Sequence, residues 1–339
     1  AVRPSGYDDY GRHTDRLWRR DVSSGHWVPF SRPALLARAV TELADHLEGA
    51  EPSRDLRRAE VHAGAAKSRP FDDRLVVVTG GGSGIGRETA LAFAREGAEV
   101  VVCDRNLASA KETSALVSEL GAESHAYAVD VSDEAAMTAF AEKVMAKHGV
   151  PDVLVNNAGI GQAGAFLNTT SEEFQRVLDI NLNGVVYGCR AFAPAMVARG
   201  EGGQIVNLSS LAAFSPQRAM GAYATSKAAV LMFSECLRAE LAHTGIGVTA
   251  VCPGVVNTNI VATTQFTGVS AEDEAAKQAR FDAVYQRRNY GPDKVAKQIV
   301  KGVLKDKPLL PVTPESYQGY YMQRLAPGLV RRFARLDVL

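Results

Sequence analysis

From Phe71 onward, short apolar runs alternate with longer segments of amphipathic periodicity. The runs are rich in β-branched residues, as buried strands are, and lie at 75–79, 99–103, 124–129, 152–156, 204–209, 247–252 and 309–312. Helical spacing of apolar residues predicts helices over 85–95, 108–120, 133–147, 172–197 and 223–243, with an irregular segment and two more helices after residue 252. Strands that alternate with helices build a parallel sheet covered on both faces. The pattern therefore predicts an α/β fold, a doubly wound parallel sheet of about seven strands.

The N-terminal part of the chain carries little periodicity. One stretch, 31–47, has apolar residues at helical spacing, with Ser31 as a candidate cap and Pro33 suited to a first turn. Residues 51–70 are polar and charged, which is typical of a linker. We therefore expect a short N-terminal extension before a main domain at 71–313.

The C-terminal tail, 314–339, is a second amphipathic segment. Its apolar stripe and the arginines that flank it are Tyr317, Tyr321, Leu325, Leu329, Phe333 and Leu336, and Arg324, Arg331, Arg332 and Arg335. An apolar stripe edged by arginines suits the surface of an anionic membrane. The same stripe would also suit packing on the body of the protein or across a subunit interface, with a bend at Pro327 and Gly328. The sequence leaves both alternatives open.

Composition and charge exclude several classes of protein. Of the 339 residues, 46% are hydrophobic and 22% are charged, as in globular rather than disordered chains. The 38 basic and 38 acidic residues cancel, so no overall positive field would attract a nucleic-acid backbone. No apolar run reaches the length of a membrane span, and the first residues lack a secretory signal pattern. We therefore expect neither a nucleic-acid partner nor a membrane-spanning segment.

Cysteine and histidine positions bear on the compartment and on metals. The four cysteines are scattered in apolar runs, which predicts buried, reduced thiols: Cys103, Cys189, Cys236 and Cys252. Such thiols suit a cytoplasmic protein, with peripheral membrane contact through the tail as an alternative. Because the sequence has neither paired cysteines nor a histidine cluster, we expect no metal site.

A glycine-rich turn, TGGGSGIG at 79–86, follows the first strand of the main domain. Glycines permit positive φ and close approach of the backbone to a pyrophosphate, which would meet the N-terminal amides of the next helix. A tight turn that binds nothing is the alternative. Asp104 is the last residue of the second strand, 24 residues after Gly80. A carboxylate at this position can accept hydrogen bonds from both hydroxyls of a ribose, and it repels a 2′-phosphate.

Charged residues around this predicted dinucleotide site leave alternatives open. Arg105, beside Asp104, leaves room for NADP, although the aspartate itself favours NAD. Asp104 could instead cap the next turn. Asp130, at the end of the third strand, could reach an adenine amino group or cap the next helix.

Four polar residues suggest acid/base chemistry. Tyr223 and Lys227 stand four apart at the start of a predicted helix and so share one face. A neighbouring ammonium stabilises a phenolate, so this pair could supply an acid/base group closer to neutrality. Ser210 lies thirteen residues before Tyr223 at a strand end, and Asn181 lies in a predicted helix. If they converge with the phenol, they would polarise a substrate oxygen and orient a proton relay.

Taken in order, these motifs resemble the short-chain dehydrogenase/reductase family. The matching elements are TGGGSGIG at 79–86, Asp104, Asp130, NNAG at 156–159, Asn181, Ser210, YATSK at 223–227 and CPGVVNT at 252–258. The resemblance covers essentially residues 71–312 and implies a Rossmann-like fold. It also implies hydride transfer between NAD(H) and a secondary alcohol or ketone, with NADP(H) a weaker cofactor, by a homodimer or homotetramer.

The resemblance assigns a role to each polar residue of this set. It makes Tyr223 the general acid/base, while Lys227 lowers its pKa and holds the nicotinamide ribose. It makes Ser210 the group that binds the reacting oxygen, and Asn181 the anchor of a water that links Lys227 to solvent.

The resemblance also implies a cofactor-binding set. That set is Gly80, Gly82, Ser83, Gly84, Ile85, Gly86, Asp104, Arg105, Asp130, Val131, Asn157, Ala158, Gly159, Tyr223, Lys227, Pro253, Gly254, Val256 and Thr258. Within it, Asn157 and Ala158 would line the adenosine ribose. Val256 and Thr258 would hold the carboxamide and the pyrophosphate.

The substrate is less well defined by the sequence. The segment at 255–290 should form a lid, and apolar residues there and near the catalytic set suggest an apolar pocket: Phe214, Met220, Ile260, Val261, Phe266, Phe281 and Tyr285. A hydrophobic alcohol or ketone, such as a lipid, would fit, although these residues could equally pack beneath the lid. The alternative function is a dinucleotide-binding module that senses redox state for an attached epoxide hydrolase. The complete Asn-Ser-Tyr-Lys set argues against mere binding.

Residues 1–50 carry a weaker resemblance, to the end of an α/β-hydrolase. The stretch RRDVSSGHWVPFSRPALLARAVTELADHLEG would place His26 as the hydrolase base. No nucleophile elbow precedes it in this sequence, so we expect no hydrolysis and a packing or surface role for His26. Together the two resemblances match actinobacterial proteins that fuse an epoxide-hydrolase-like domain to a short-chain dehydrogenase. We expect this chain to be the dehydrogenase half of such a protein, with 1–50 as a hydrolase remnant.

Overall fold

The computed structural model describes residues 16–18, 33–52, 56, 60–62, 69–258, 264–267 and 290–335. Several residues singled out in the sequence lie outside these described residues: His26, Ile260, Val261, Phe281, Tyr285 and Leu336. One of the two helices expected after residue 252 also has no counterpart among the described residues.

Eleven strands are present in the described part of the chain. In chain order they are β1 (Arg16–Trp18), β2 (Glu60–His62), β3 (Leu75–Thr79), β4 (Glu99–Asp104), β5 (Ser124–Ala128), β6 (Val153–Asn156), β7 (Gln162–Ala163), β8 (Gly203–Leu208), β9 (Ile246–Cys252), β10 (Gln265–Phe266) and β11 (Leu309–Pro311). Seven of them form one parallel sheet in the order β11-β9-β8-β6-β3-β4-β5, while β1 pairs with β2 and β7 with β10. The doubly wound α/β prediction is confirmed, and each predicted strand is found to within one residue at either end.

Helices cover both faces of the large sheet. In chain order they are α1 (Pro33–Leu47), α2 (Gly84–Arg95), α3 (Leu107–Glu119), α4 (Glu134–His148), α5 (Ser171–Leu178), α6 (Gly184–Arg199), α7 (Gly221–Glu240), α8 (Pro292–Leu304), α9 (Pro314–Leu325) and α10 (Pro327–Phe333). Phe93 of α2 is buried with α3 and α8 on one face, and Phe192 of α6 with α4 and α7 on the other. Because both faces are covered, β3 and β6 are buried along their whole length.

The long helix predicted over 172–197 is wrong as a single element. It is divided into α5, a π-helical segment at Asp179–Asn183, and α6. A π turn accommodates one more residue than an α turn, and this one holds Asn181, which is fully buried. Helical residues lie on both sides of this five-residue segment, so the pattern alone did not indicate the break.

The tail forms two helices that meet at Ala326, so the predicted bend at Pro327 is confirmed. Its apolar stripe is not packed on the described body of the protein, because five members are at least 45% exposed: Tyr317, Tyr321, Leu325, Leu329 and Phe333. On the inner side, Val330 is buried. Among the described helices none has both the length and the apolar character needed to cross a membrane.

The four cysteines are free thiols. Three are buried as expected, but the expectation is wrong for Cys236, which is exposed. Cys236 lies on the outward face of α7, whose inward face buries Val230 and Ser234.

A buried ion pair joins two elements at the edge of the sheet where the strands begin. Arg199, at the end of α6, lies 3.3 Å from Asp152 Oδ1 and also donates to Val150 O and Gly202 O. Arg74 contacts the same oxygen at 3.0 Å, but its side chain is 43% exposed whereas that of Arg199 is 3% exposed. The two arginines therefore contact the same carboxylate oxygen, one from a buried position and the other from a position exposed to water.

We expect Arg199→Leu to lower the free energy of unfolding by about 3 kcal/mol, because a buried carboxylate loses a partner. Arg74→Ala, the matched control, should cost about 1 kcal/mol or less because water screens its pair. Urea denaturation of both variants measures the difference. Equal losses would contradict the claim that burial sets the strength of this interaction.

Candidate active site

The glycine-rich turn after β3 is held by direct contact between backbones. Gly80 has φ of +60°, and a Cβ there would lie 2.7 Å from Ala158 Cα. A Cβ on Gly86 would lie 2.2 Å from Gly80 O and 2.5 Å from Asn157 Nδ2. Larger residues at Gly80 and Gly86 would therefore separate the turn from the end of β6.

The N-terminus of α2 is open to a ligand. Ser83 occupies the N-cap position but its side chain makes no capping hydrogen bond, so the usual cap leaves the first amides of α2 available. Gly84 follows with φ of +53°, and a Cβ there would lie 3.4 Å from Thr258 Cβ. Amides at 84–85 and the Thr258 side chain thus border one spot that suits a pyrophosphate. Ile85 packs against the core beside it.

Arg87 was missed by the sequence analysis, although it braces the turn. Its guanidinium donates to Gly82 O from Nε and Nη2, at 3.1 and 2.6 Å, and to Thr113 Oγ1 at 3.0 Å. It also forms an ion pair with Glu112 at 2.9 Å. An arginine one turn into a helix that follows a glycine-rich turn can fold back on that turn, and this spacing was the available signal.

Asn157 also shapes the turn. Its Nδ2 donates to Thr79 O and Gly80 O, both at 3.0 Å, while the amides of Asn157 and Ala158 donate to Thr79 Oγ1. The sequence analysis missed Thr79, which is buried where β3 ends. These bonds use both amide protons of Asn157, and its expected place along the adenosine ribose stays a prediction.

At the end of β4, the carboxylate of Asp104 is fixed by two backbone amides. Gly82 N donates to Oδ2 at 3.1 Å and Asn106 N donates to Oδ1 at 2.9 Å. The cap of α3 is Asn106, whose side chain accepts from Ala108 N and Ser109 N. Asp104 does not cap α3, but its bond with Asn106 N confirms the alternative that it caps the next turn, and its carboxylate also lies against the glycine-rich turn.

Asp130 and its neighbours lie after β5. Asp130 Oδ1 accepts from both the amide and the hydroxyl of Ser132, and these bonds, with the charge of Arg105, lower the pKa of Asp130. The cap of α4 is Asp133, so the capping alternative for Asp130 is wrong. Arg105 is exposed and Val131 is buried.

Tyr223, Lys227 and Ser210 are brought together by α7 and the end of β8. Lys227 is buried and donates from Nζ to Leu208 O at 2.9 Å, and burial lowers its pKa to about 8. Its Nζ lies 5.9 Å from the centre of the Tyr223 ring. Burial raises the pKa of the Tyr223 phenol, and a hydrogen bond with Ser210 opposes that effect. In the chain alone burial thus has the larger effect on this pKa, and a lowering of it by Lys227 stays a prediction.

Asn181 reaches the same place through the π-helical segment. Its Oδ1 accepts from Ile160 N at 2.8 Å, and its Nδ2 donates to Ile160 O at 3.0 Å and Ser226 Oγ at 3.1 Å. A Cβ on Gly159 would lie 3.1 Å from Asn181 Oδ1 and 3.3 Å from Lys227 Nζ. Because Gly159 has no Cβ, the NNAG segment can pass between the Asn181 amide and the Lys227 ammonium. The sequence analysis missed Ser226, which also donates to Tyr223 O at 2.7 Å.

The loop after β9 is anchored by the tail. Pro253 O accepts from Leu211 N at 2.7 Å, which ties this loop to the segment after Ser210. Glu315, in the first turn of α9, accepts from Val255 N at 3.0 Å, and a Cβ on Gly254 would lie 2.5 Å from the same carboxylate. Val256 is buried behind the loop. The sequence pattern around Glu315 gave no sign of this contact.

An apolar cavity of about 160 Å³ lies between the segment after Ser210 and the tail. Its lining is Phe214, Ser215, Pro216, Gln217, Arg218, Gly319, Met322, Val330, Phe333 and Ala334. Phe214 is buried and packs edge-on against Tyr320 of α9, with ring centres 5.3 Å apart. Of the other predicted pocket residues that are described, Phe266 is buried and Met220 is half-buried.

Comparison with known proteins agrees with this geometry. The profile of the family described as short chain dehydrogenase matches residues 74–267. The probable oxidoreductase EphD of Mycobacterium tuberculosis is 53% identical over 343 residues, which cover 100% of this chain and 57% of that protein. The chain thus spans little more than half the length of that curated relative.

Solved structures are similar over most of the chain. A short-chain dehydrogenase/reductase from Burkholderia phymatum in complex with NAD has a TM-score of 0.71 and 27% identity, over 79% of this chain and 98% of that one. An NAD⁺-bound xylitol dehydrogenase has a TM-score of 0.63 and 28% identity, over 72% and 99%. The family profile spans the glycine-rich turn, the Asn-Ser-Tyr-Lys set and most of the sheet, so this chain belongs to the short-chain dehydrogenase family.

Proposed function

We propose that this chain transfers a hydride between NAD(H) and a secondary alcohol or ketone, with Tyr223 as the acid/base group. The observation that carries the proposal is the convergence of Tyr223, Ser210, Lys227 and Asn181 beside the open N-terminus of α2. A redox-sensing module would need the turn and Asp104. It would not need a serine hydroxyl beside a half-buried tyrosine phenol.

The dinucleotide supplies or accepts the hydride when bound, and the side chains manage the proton. Ser210 would orient the substrate oxygen, and Tyr223 would donate a proton to that oxygen in reduction or remove it in oxidation. Lys227, whose pKa of about 8 lets it exchange protons near neutrality, would hold positive charge beside the phenol. Asn181 would fix the backbone of Ile160, which passes beside Lys227.

The same geometry supports NAD(H) over NADP(H). Two amides hold the Asp104 carboxylate in place, so it could accept from the ribose hydroxyls without reorganising. A 2′-phosphate would bring like charge against that carboxylate. Arg105 is exposed, and its charge acts on Asp130.

The cavity beside Phe214 supports an apolar substrate. Its apolar lining comes from the segment after Ser210 and from both tail helices, so a hydrocarbon group on the substrate could extend from the reacting oxygen toward α10. A hydrophobic secondary alcohol or ketone, including a lipid, is the class this arrangement favours.

Turnover with a panel of secondary alcohols and ketones of increasing chain length, followed by nicotinamide absorbance, tests the proposal. We expect turnover in at least one direction and a higher kcat/KM for longer apolar substrates. Tight NAD(H) binding without turnover of any member would favour the sensing module instead.

For the acid/base role, we expect Tyr223→Phe to lower kcat by about a hundred- to ten-thousand-fold, because only the proton-transferring hydroxyl is removed. The affinity for NAD(H), measured by fluorescence titration, should stay within a few-fold. Tyr317→Phe, which removes an exposed phenol on α9, is the matched control and should leave kcat unchanged. Retention of more than a tenth of kcat by Tyr223→Phe would contradict the mechanism.

For the cofactor, we expect a preference for NAD(H) of more than about tenfold in kcat/KM, since like charges within a partly enclosed site repel. Asp104→Ala should reduce that preference by relieving the repulsion. Arg105→Ala, beside it, should leave it nearly unchanged. If Arg105→Ala rather than Asp104→Ala changes the ratio of the two kcat/KM values, the arginine sets the preference.

The chain should assemble as a homodimer or homotetramer, as its family resemblance implies. The outer face of α7 offers a surface for this, because Ala228 and Met232, one turn apart, are both exposed. The free thiols fit the reducing cytoplasm.

The tail stripe suits a different contact. Four exposed arginines accompany it, whereas Glu315 is the one acidic residue in the described part of the tail. This charge favours an anionic lipid surface, against which the arginines would extend toward the head groups.

We expect the protein to float with anionic vesicles at low salt and not with neutral ones. Arg331→Gln with Arg332→Gln should weaken partitioning roughly 30-fold, at about 1 kcal/mol for each charge. Lys301→Gln in α8 with Lys305→Gln at its C-cap is the control and should have little effect. If the protein does not float, and Leu325→Glu splits an oligomer seen by sedimentation, the stripe is a subunit interface.

A further inference from the structure

A cluster of three potential metal ligands lies at the edge of the sheet where the strands begin, opposite the active site. Glu99 is the first residue of β4, His125 the second of β5 and His148 the last of α4. Glu99 Oε1 lies 3.3 Å from His125 Nε2 and 3.6 Å from His148 Nδ1. One atom from each residue falls within 4.8 Å of the other two.

The ring nitrogen of His125 points into this cluster. Nε2 is buried and makes no hydrogen bond within the described chain, although Glu99 and Glu123 place carboxylate oxygens 3.3 and 3.2 Å away. The contacts therefore have the proximity of ligands around a common centre but not the alignment of hydrogen bonds. The two imidazole rings stack beside each other, with centres 3.9 Å apart.

Tyr127 fixes the ring of His148 from the other side. Its hydroxyl lies 2.7 Å from His148 Nε2, which leaves Nδ1 facing Glu99. When Nε2 donates its proton to the phenol oxygen, Nδ1 carries the lone pair. A histidine that binds a metal through one nitrogen almost always has such a partner on the other.

We propose that Glu99, His125 and His148 bind one divalent transition-metal ion, best matched by Zn²⁺. Ligands about 2.0–2.1 Å from a tetrahedral zinc lie about 3.3 Å apart, close to the two separations between Glu99 Oε1 and the histidine nitrogens. Two imidazoles with a carboxylate suit zinc or a similar ion, whereas Mg²⁺ and Ca²⁺ prefer oxygen ligands alone. Glu123, whose side chain is 68% exposed, can supply a fourth ligand and a second negative charge.

The ion would act on stability rather than on turnover. It would join the first residues of β4 and of the edge strand β5 to the end of α4, three elements that are far apart in the sequence. Because the site lies at the opposite ends of the strands from Tyr223, binding should raise Tm and leave kcat unchanged. The sequence contained no sign of it because the ligands are separated along the chain.

Titration of the metal-free protein with Co²⁺ tests the site. Cys236→Ser, which removes the exposed thiol, serves as the background for every variant. We expect one equivalent to give the intense visible absorption of tetrahedral Co²⁺, Zn²⁺ to displace it, and Zn²⁺ to raise Tm. Without that spectrum and without the rise in Tm in the background protein, the proposal is wrong.

Two variants locate the binding. Glu99→Gln keeps the shape of the side chain, and His148→Ala removes a ligand, so each should weaken Co²⁺ binding by about 10–100-fold. His243→Ala, which removes an exposed histidine in the turn after α7, should leave the affinity unchanged. If Glu99→Gln binds Co²⁺ as tightly as the background, the ion is bound elsewhere and the proposal fails, whether or not His148→Ala folds.

Discussion

The contact on which the candidate active site depends is one between two stretches of backbone. At Gly80 and Gly86, the turn after β3 lies so close to the end of β6 that no side chain fits between them. This closeness allows Asn157 and Thr79 to bond across the gap and brings Asp104 against the turn. The packing of the turn thereby fixes the direction in which the N-terminus of α2 points. The side chains that follow β3, β4 and β6 are therefore positioned by this packing.

A second constraint lies on the catalytic side. Asn181 is held by both backbone groups of Ile160, and Gly159 leaves room for Lys227 beside it. The π-helical segment is the local irregularity that directs Asn181 inward. An uninterrupted helix would rotate this residue by part of a turn and separate it from Ser226. A departure from regular structure thus coincides with the residues to which we assign chemistry.

The sheet and its order of elements could be predicted because strand and helix periodicities differ. The proximity of Tyr223, Lys227 and Ser210 could be predicted because the glycine and Tyr-Lys motifs are local, while the roles of these residues stay predictions. What could not be predicted depends on contacts between distant parts of the chain. Arg87 reaches Gly82 across a turn, Glu315 reaches Val255 across sixty residues, and the histidines meet only after β5 pairs with β4. The break at Asp179–Asn183 escaped for another reason, since helical residues lie on both sides of this single π turn.

The bond from Val255 to Glu315 makes the tail part of the catalytic framework. The same short segment then lines the cavity with Met322 and exposes the arginine-edged stripe on its other side. Substitutions on the inner, cavity-lining face of the tail and on its exposed face are therefore coupled. A change on one face must leave the contacts of the other face intact. For protein engineering, this means that exchanging the last helices between relatives would change the lining of this cavity and the exposed stripe together.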